Sequence, residues 1–187
     1  ISNTLNEYQR ALFESPYRAD LEAKIGKVVF KNIELALKSM DEKLIPLMQE
    51  ENALTSKYAK LLASAKIPFD GEIYNLSLMT QFTTSQDRTV RRRAYEAMSK
   101  FFTDNQEELD QIYDQLVKNR TEQARQMGYE NFVELGYYRM NRNCYDKSMV
   151  ENFRKQIKTY MVPYVERLQE ERRKKIELDH LTFVDNG

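Results

Sequence analysis

From Val90 to Met127 the apolar residues keep a spacing that only a helix can turn to one side. Val90, Ala94, Ala97, Met98 and Phe101 form one stripe. Leu109, Ile112, Tyr113, Leu116, Val117, Ala124 and Met127 extend it, at the 3.6-residue period of an amphipathic helix. The spacing predicts one long helix over 86–127, or two joined by a kink near Asn105. Ser85 or Asp87 supplies its cap, and Gly128 its natural stop. A run of this length commits the chain to helix packing on helix, and most of the remaining sequence agrees.

Leu5, Tyr8, Leu12 and Phe13 form a short stripe closed by Ser15-Pro16. Leu21, Ile25, Val28, Asn32, Leu35 and Leu37 predict a second helix that tolerates Gly26 at some cost. Asp41 caps a turn, and Pro46 suits an early helical position. The helix that follows carries Leu47, Glu51, Leu54, Tyr58, Leu61, Leu62 and Ala65. A short helix is expected over 131–140. Asp146 then caps a helix bearing Met149, Val150, Phe153, Ile157, Tyr160, Met161, Tyr164 and Leu168, with Pro163 expected to kink it. The period changes once, in "AKIPFDGEIYNLS" near 65–76, where Asp70-Gly71 separates Ile67 and Phe69 from Ile73 and Tyr74. Asp-Gly between such runs is a strong hairpin signal. The expected fold is mainly α, a helical bundle-like arrangement with one β-hairpin. Two parts are expected: an N-terminal helical segment, 1–64, and a hairpin plus long-helix region, 65–187. The closing "LTFVDNG" reads as extended, and both ends read as cuts through something longer.

Charge narrows the function classes. Lys plus Arg and Asp plus Glu both number 29, so the basic excess of a nucleic-acid binder is absent. No apolar run is long enough to span a bilayer. The single Cys144 can form no internal disulfide, and a small, partly buried side chain is its expected role. His180, beside Asp179, is expected in a solvated loop. One His and one Cys far apart in sequence do not make a zinc site, and no H-E-x-x-H occurs. Phosphate-binding glycine loops are missing as well. No catalytic or metal-ligating residue is therefore assigned to this chain.

Two clusters remain. Arg88, Arg91, Arg92 and Arg93 could bind RNA or phosphate. Helical spacing spreads them around the circumference, which favours a charged face with Arg92 and Glu96 one turn apart. "YENFVELGYYRMNRNCYDKSMVENFRKQ", 129–156, concentrates tyrosines and arginines. Tyr137, Tyr138, Arg139 and Arg142 could line a groove for an extended polar ligand such as a peptide. Inward packing of Phe132, Leu135 and Tyr138 with solvated arginines is the plainer reading, and periodicity favours it.

Longer patterns bring in a family. "FDG", "DR..R..A" in "SQDRTVRRRAYEAMSKFF", "GY.NF.E.GY.R" and "MV.NFR", followed by "LDHLTFVD", occur in that order. From about residue 30 to 185 the chain resembles the oligoendopeptidase F family, zinc metallopeptidases related to thimet oligopeptidase. The resemblance implies a mostly helical, two-lobed protein with a deep channel that admits short peptides and excludes folded proteins. It implies zinc held by the two histidines of H-E-x-x-H and a downstream glutamate, with the motif's own glutamate as general base on a zinc-bound water. All of those residues are expected beyond Gly187. The chain would then be the region before the catalytic domain. Tyr137, Tyr138, Arg139 and Arg142 would be channel wall, and no metal would bind to this piece. The implied partners are short peptides and the missing C-terminal catalytic domain, with no nucleic acid and no membrane. The implied compartment is the cytoplasm, and the isolated piece is expected to self-associate. A stand-alone helical adaptor derived from such a peptidase is the alternative.

Overall fold

Gly26 divides the second expected helix in two. Its φ of 108° and ψ of 145° belong to a conformation that side chains with a Cβ rarely adopt. Arg18–Ile25 (α2) therefore ends there, and Lys27–Ser39 (α3) starts on a new axis. Residues 2–185 are described by a computed structural model. Before the break stands Ser2–Phe13 (α1). After it come Ile45–Ala63 (α4), the strands Ile67–Phe69 (β1) and Glu72–Tyr74 (β2), and Thr80–Thr83 (α5). Arg88–Asp104 (α6), Gln106–Gln126 (α7), Phe132–Arg139 (α8), Lys147–Gln156 (α9) and Val162–Lys175 (α10) follow. The fold is mainly helical, with one two-stranded hairpin.

Of the two readings of 86–127, one long helix or two, the second holds: α6 and α7 are separate helices that meet at Asn105. The Asn105 side-chain nitrogen donates to the Phe101 carbonyl at 2.7 Å, beside the Asn105 backbone N–H that bonds the same carbonyl at 3.2 Å, so the cap residue closes the end of α6 with both of its donors. Of the two cap candidates, Asp87 holds the Thr89 N–H at 2.7 Å. The Asp41 and Asp146 caps form as expected, on the Lys43 and Met149 N–H groups. Around Pro163 the helix does not break. A single π turn, Ile157–Met161, precedes the proline, because a residue without an N–H leaves the carbonyl four positions back to find a donor in a wider turn. The expected extended C-terminal segment contains a 3₁₀ turn over Phe183–Asp185. Asn186 and Gly187 lie outside the described residues.

The chain forms two compact units, both discontinuous in sequence. One takes the chain up to Ala53 with Gln115–Val150; the other takes Leu54–Asp114 and the chain from Glu151 onward. In the first, α1 and α2 pack on α3, and α3 packs on α8. Phe30, Ile33, Leu35, Leu44, Ala124 and Leu135 are buried there, and each of the larger ones contributes on the order of 2 kcal/mol by leaving water.

In the second unit the hairpin closes the core. Ile67 pairs with Tyr74 and Phe69 with Glu72. Ile67 and Phe69 turn inward while Pro68 faces out, and they meet Ala65, Met79 and Ala94. The α6 stripe of Val90, Ala97, Met98 and Phe101 packs against that cluster. In contrast, no residue of α9, the π turn or α10 is buried. Phe153, Ile157, Tyr160, Met161, Val162, Tyr164, Val165 and Leu168 are all exposed.

Three of the four α6 arginines, Arg88, Arg91 and Arg93, bond to groups outside their own helix, so the run is more than a solvated face. Arg88 grips Asp185 with Nε at 2.7 Å and Nη2 at 3.1 Å. Arg91 donates to the Val184, Ser85 and Gln86 carbonyls and reaches Asp185 at 3.4 Å. Arg93 forks onto Asp70 in the hairpin turn, at 2.8 and 3.1 Å. Arg92 pairs within α6, with Glu96 one turn on, as a surface pair. Asp185 is 2% exposed and also accepts the Thr182 N–H and hydroxyl. The Arg88 guanidinium holds its carboxyl well below the usual carboxylate range against the opposing effect of burial, aided by Thr182.

Two expectations follow. Asp70 and Gly71 have φ of 48° and 90°, a type I′ turn. A Cβ on Gly71 would touch nothing within 4 Å, so Gly71→Val is penalised through the backbone alone. Urea denaturation should show a loss of about 1–3 kcal/mol. For Asp185 the depressed folded-state pKa means its stabilisation is complete above the unfolded carboxylate value of about 4 and is lost as pH falls below it. Asp185→Asn should cost roughly 2 kcal/mol at pH 7. Unfolding midpoints measured between pH 7 and pH 2 should then fall less steeply in the variant than in the parent chain.

Candidate functional site

α8 and the loop after it carry the four residues singled out as a groove wall, and the structure separates them. Asn131 caps α8 by accepting the Val133 N–H at 2.9 Å, and Leu135 buries its inner face. With that face fixed, Tyr137 and Tyr138 lie half-buried at the rim, while Arg139 turns into the unit. Asn141, with φ of 51°, reverses the chain after α8. Arg142 then comes back over Tyr137, its guanidinium carbon 4.2 Å from the ring centre. Tyr145 stands 5.5 Å from the same carbon.

Tyr137, Tyr138, Arg142 and Tyr145, but not Arg139, border a cavity of about 480 Å³, with Glu130 and Glu134 on its wall. That volume falls within the range of small-ligand sites. The Tyr138 hydroxyl donates to Glu134 at 2.9 Å. Burial and that bond push the Tyr138 phenol above its usual value, so it remains a hydrogen-bond donor at neutral pH. Three faces are thus aromatic with polar edges, and both charge signs are present. Such a surface can hold an extended chain by its peptide groups and cover its side chains.

Arg139 does different work. Its Nη1 donates to Glu51 at 3.1 Å, and Nη2 donates to the Gln123 side-chain oxygen. Glu51 also accepts Arg120 Nε at 2.7 Å and Gln123 Nε2 at 2.9 Å. Gln123, fully buried, donates to Asn119 Oδ1, and Asn119 donates to the Leu47 carbonyl and to Glu50. Burial alone would raise the Glu51 carboxyl. Bonds from Gln123 and Arg120, and the charges of Arg139 and Arg120, outweigh it and hold the group below the usual range. Both guanidiniums also stand near the Phe132 ring, Arg120 at 5.6 Å and Arg139 at 5.5 Å from its centre. The sequence signal for this network is Glu51 itself, a carboxylate on the apolar stripe of α4.

Cys144, expected to be partly buried, is exposed, because the loop after Asn141 carries it outward. His180 is exposed in a loop, as expected. The two belong to different units. Among the described residues no group of three His, Cys, Asp or Glu side chains could hold a metal ion. No helix among them is long and apolar enough to cross a membrane.

Two family models match the chain. The one described as Peptidase family M3 covers residues 81–185, and the Peptidase M3 N-terminal domain covers residues 1–40. No curated protein matches. Among solved structures, an oligoendopeptidase F from Bacillus anthracis strain Ames is 43% identical with a TM-score of 0.91, over 97% of this chain and 33% of that one. PZ peptidase A, solved with an inhibitor, is 46% identical with a TM-score of 0.92, over 97% of this chain and 32% of its own. Another oligoendopeptidase F structure is 45% identical with a TM-score of 0.92, over 97% and 32%. The chain therefore spans about a third of the length of these relatives.

The geometry separates structural from rim residues. Arg139→Ala leaves Glu51 and Gln123 short of a partner and should cost about 2–3 kcal/mol in urea denaturation. Tyr137→Ala and Arg142→Ala remove rim contacts and should each cost under about 1 kcal/mol.

Proposed function

Because this chain belongs to peptidase family M3, we propose that it is the non-catalytic portion of a zinc-dependent oligoendopeptidase and forms part of the wall of its peptide channel. The observation that carries this reading is the agreement with oligoendopeptidase F structures, at 43% and 45% identity across 97% of the chain. Residues 1–64 are the N-terminal helical segment, and 65–187 lead toward the catalytic zinc domain. The described residues do not fit a metal, so zinc and the general base are assigned to the remainder of the longer polypeptide. This chain's own share is shape and substrate contact. The cavity at Tyr137, Tyr138 and Arg142 supplies an amphipathic surface of the kind that holds extended peptides. Arg139 takes part by fixing α8 through Glu51 and Gln123. The cytoplasm is the compartment in keeping with a lone, unpaired and exposed Cys144.

The partner that covers α9 and α10 is, in this reading, the catalytic domain. Their exposed apolar residues form the kind of face that inter-domain contacts bury.

The test is to express the polypeptide with the rest of its reading frame. The longer product should cleave a quenched fluorescent peptide of a few residues and spare folded proteins, and a chelator should abolish the cleavage. The 187-residue chain alone should show none. A longer product that lacks H-E-x-x-H and cleaves nothing would overturn the peptidase reading in favour of an adaptor. The isolated chain should also self-associate through its open apolar face, since a net charge of zero supplies little repulsion. Sedimentation velocity across a concentration series should show mass rising with concentration, and a strict monomer would count against an uncovered domain face.

A further inference from the structure

The cavity beside α8 contains two charges that the protein itself leaves unused. Of its carboxylates, Glu134 accepts the Tyr138 hydroxyl. Asp146 caps α9 through Met149 and Ser148. Glu130 has no partner among the described residues. Arg142 is likewise paired with no carboxylate among them; its hydrogen bond is a weak one to the Met140 sulfur at 3.4 Å. Yet Arg142 is not loose. It is half-buried, and its guanidinium carbon is held 4.2 Å from the Tyr137 ring and 5.5 Å from the Tyr145 ring.

A guanidinium clamped by aromatic faces keeps its N–H edge for another acceptor, and the clamp removes part of the entropy lost on binding. Its best acceptor is a carboxylate, which takes two parallel charge-assisted bonds. A lone anion would meet an unfavourable field there, because three carboxylates, Glu130, Glu134 and Asp146, line the same space against the two cations Arg142 and Lys147. A ligand carrying one charge of each sign satisfies both groups. With a volume of about 480 Å³, the cavity is of small-ligand size, and the tyrosine rings offer neutral contact area between the two charges.

We infer that this cavity holds a short unblocked peptide by its two ends, with the terminal carboxylate on Arg142 and the terminal ammonium on Glu130. The inference rests on the peptide-wall reading above and narrows it. A wall that reads peptide ends selects short free peptides over internal stretches of a long chain, since only the former present both charges within one cavity.

Trialanine is the probe, because its side chains add nothing to recognition beyond methyl groups. It would be titrated into the 187-residue chain and followed by amide chemical shifts of residues 129–147. C-terminal amidation and N-terminal acetylation should each weaken binding about tenfold, the loss of one charge-assisted contact. In Arg142→Gln the amide and the free acid should bind alike, and in Glu130→Gln the acetylated and free peptides should bind alike. The blocked peptides test the unaltered chain, so the result does not hang on a variant that folds. Shifts at Tyr137 and Tyr145 that are the same for blocked and free trialanine would overturn the end-recognition inference and leave the peptide wall standing. The absence of any shift there with all three peptides would overturn both.

Discussion

Glu51 is a carboxylate on the apolar stripe of α4, and its unit is arranged around satisfying it. A charged oxygen taken out of water without partners costs several kcal/mol. Here both oxygens are occupied, by Arg120 and Gln123 from α7 and by Arg139 from α8. Three helices are thereby fixed in register by directional bonds, where apolar packing alone would allow them to slide. Replacing such a network with hydrocarbon is often neutral in stability. What the network adds is position: α8 can rotate only by breaking bonds to Glu51 and Gln123, so Tyr137 and Tyr138 are presented at one place on the rim.

Arginine does similar work in the other unit, with a gradation in worth. The Arg93–Asp70 fork ties α6 to the hairpin turn, but both side chains are about half exposed, so solvent screening leaves it a modest contribution. Arg88 and Arg91 close on a carboxylate that water does not reach. Arg172 adds a bond to the Asp185 carbonyl. The 3₁₀ turn at Phe183–Asp185 is therefore held to α6 and α10 by polar contacts together with the buried Val184 and the edge-on packing of Phe183 against Tyr95 at 4.8 Å.

Periodicity made the helices legible, and turn chemistry made the hairpin legible, since both are local. Asp70-Gly71 needs no neighbour to choose a type I′ turn, and the α6 stripe meets the core it announces. What depends on distant partners was hidden. Arg139 and Arg142 look alike as sequence, three residues apart. One turns inward because Gln123 and Glu51 lie beneath it, and the other stays at the rim because Tyr137 and Tyr145 hold it. The roles of Arg88 and Arg91 depend on a carboxylate more than ninety positions away. Gly26 was underestimated for another reason. Helical stripes on either side can share a phase while the backbone between them leaves the helix, and glycine makes that departure cheap.

The segment from Lys147 to Lys175 carries this last point further. It is helical throughout, roughly 40 Å long at 1.5 Å per residue, and no residue in it is buried. Helix propensity alone rarely sustains such a length in water; most helical stability in proteins comes from packing one apolar face. The face exists, in Phe153, Ile157, Met161, Val165 and Leu168. Among the described residues its far end is tethered by bonds from Arg172 and Arg173 to the backbone carbonyls of Asp185, Leu178 and Asp179. An apolar face left open among the described residues is the kind of face that a packing neighbour buries. That fits a chain spanning a third of its relatives' length, and it places the demand for that neighbour on α9 and α10, whose apolar stripe gains its free energy only when something packs against it.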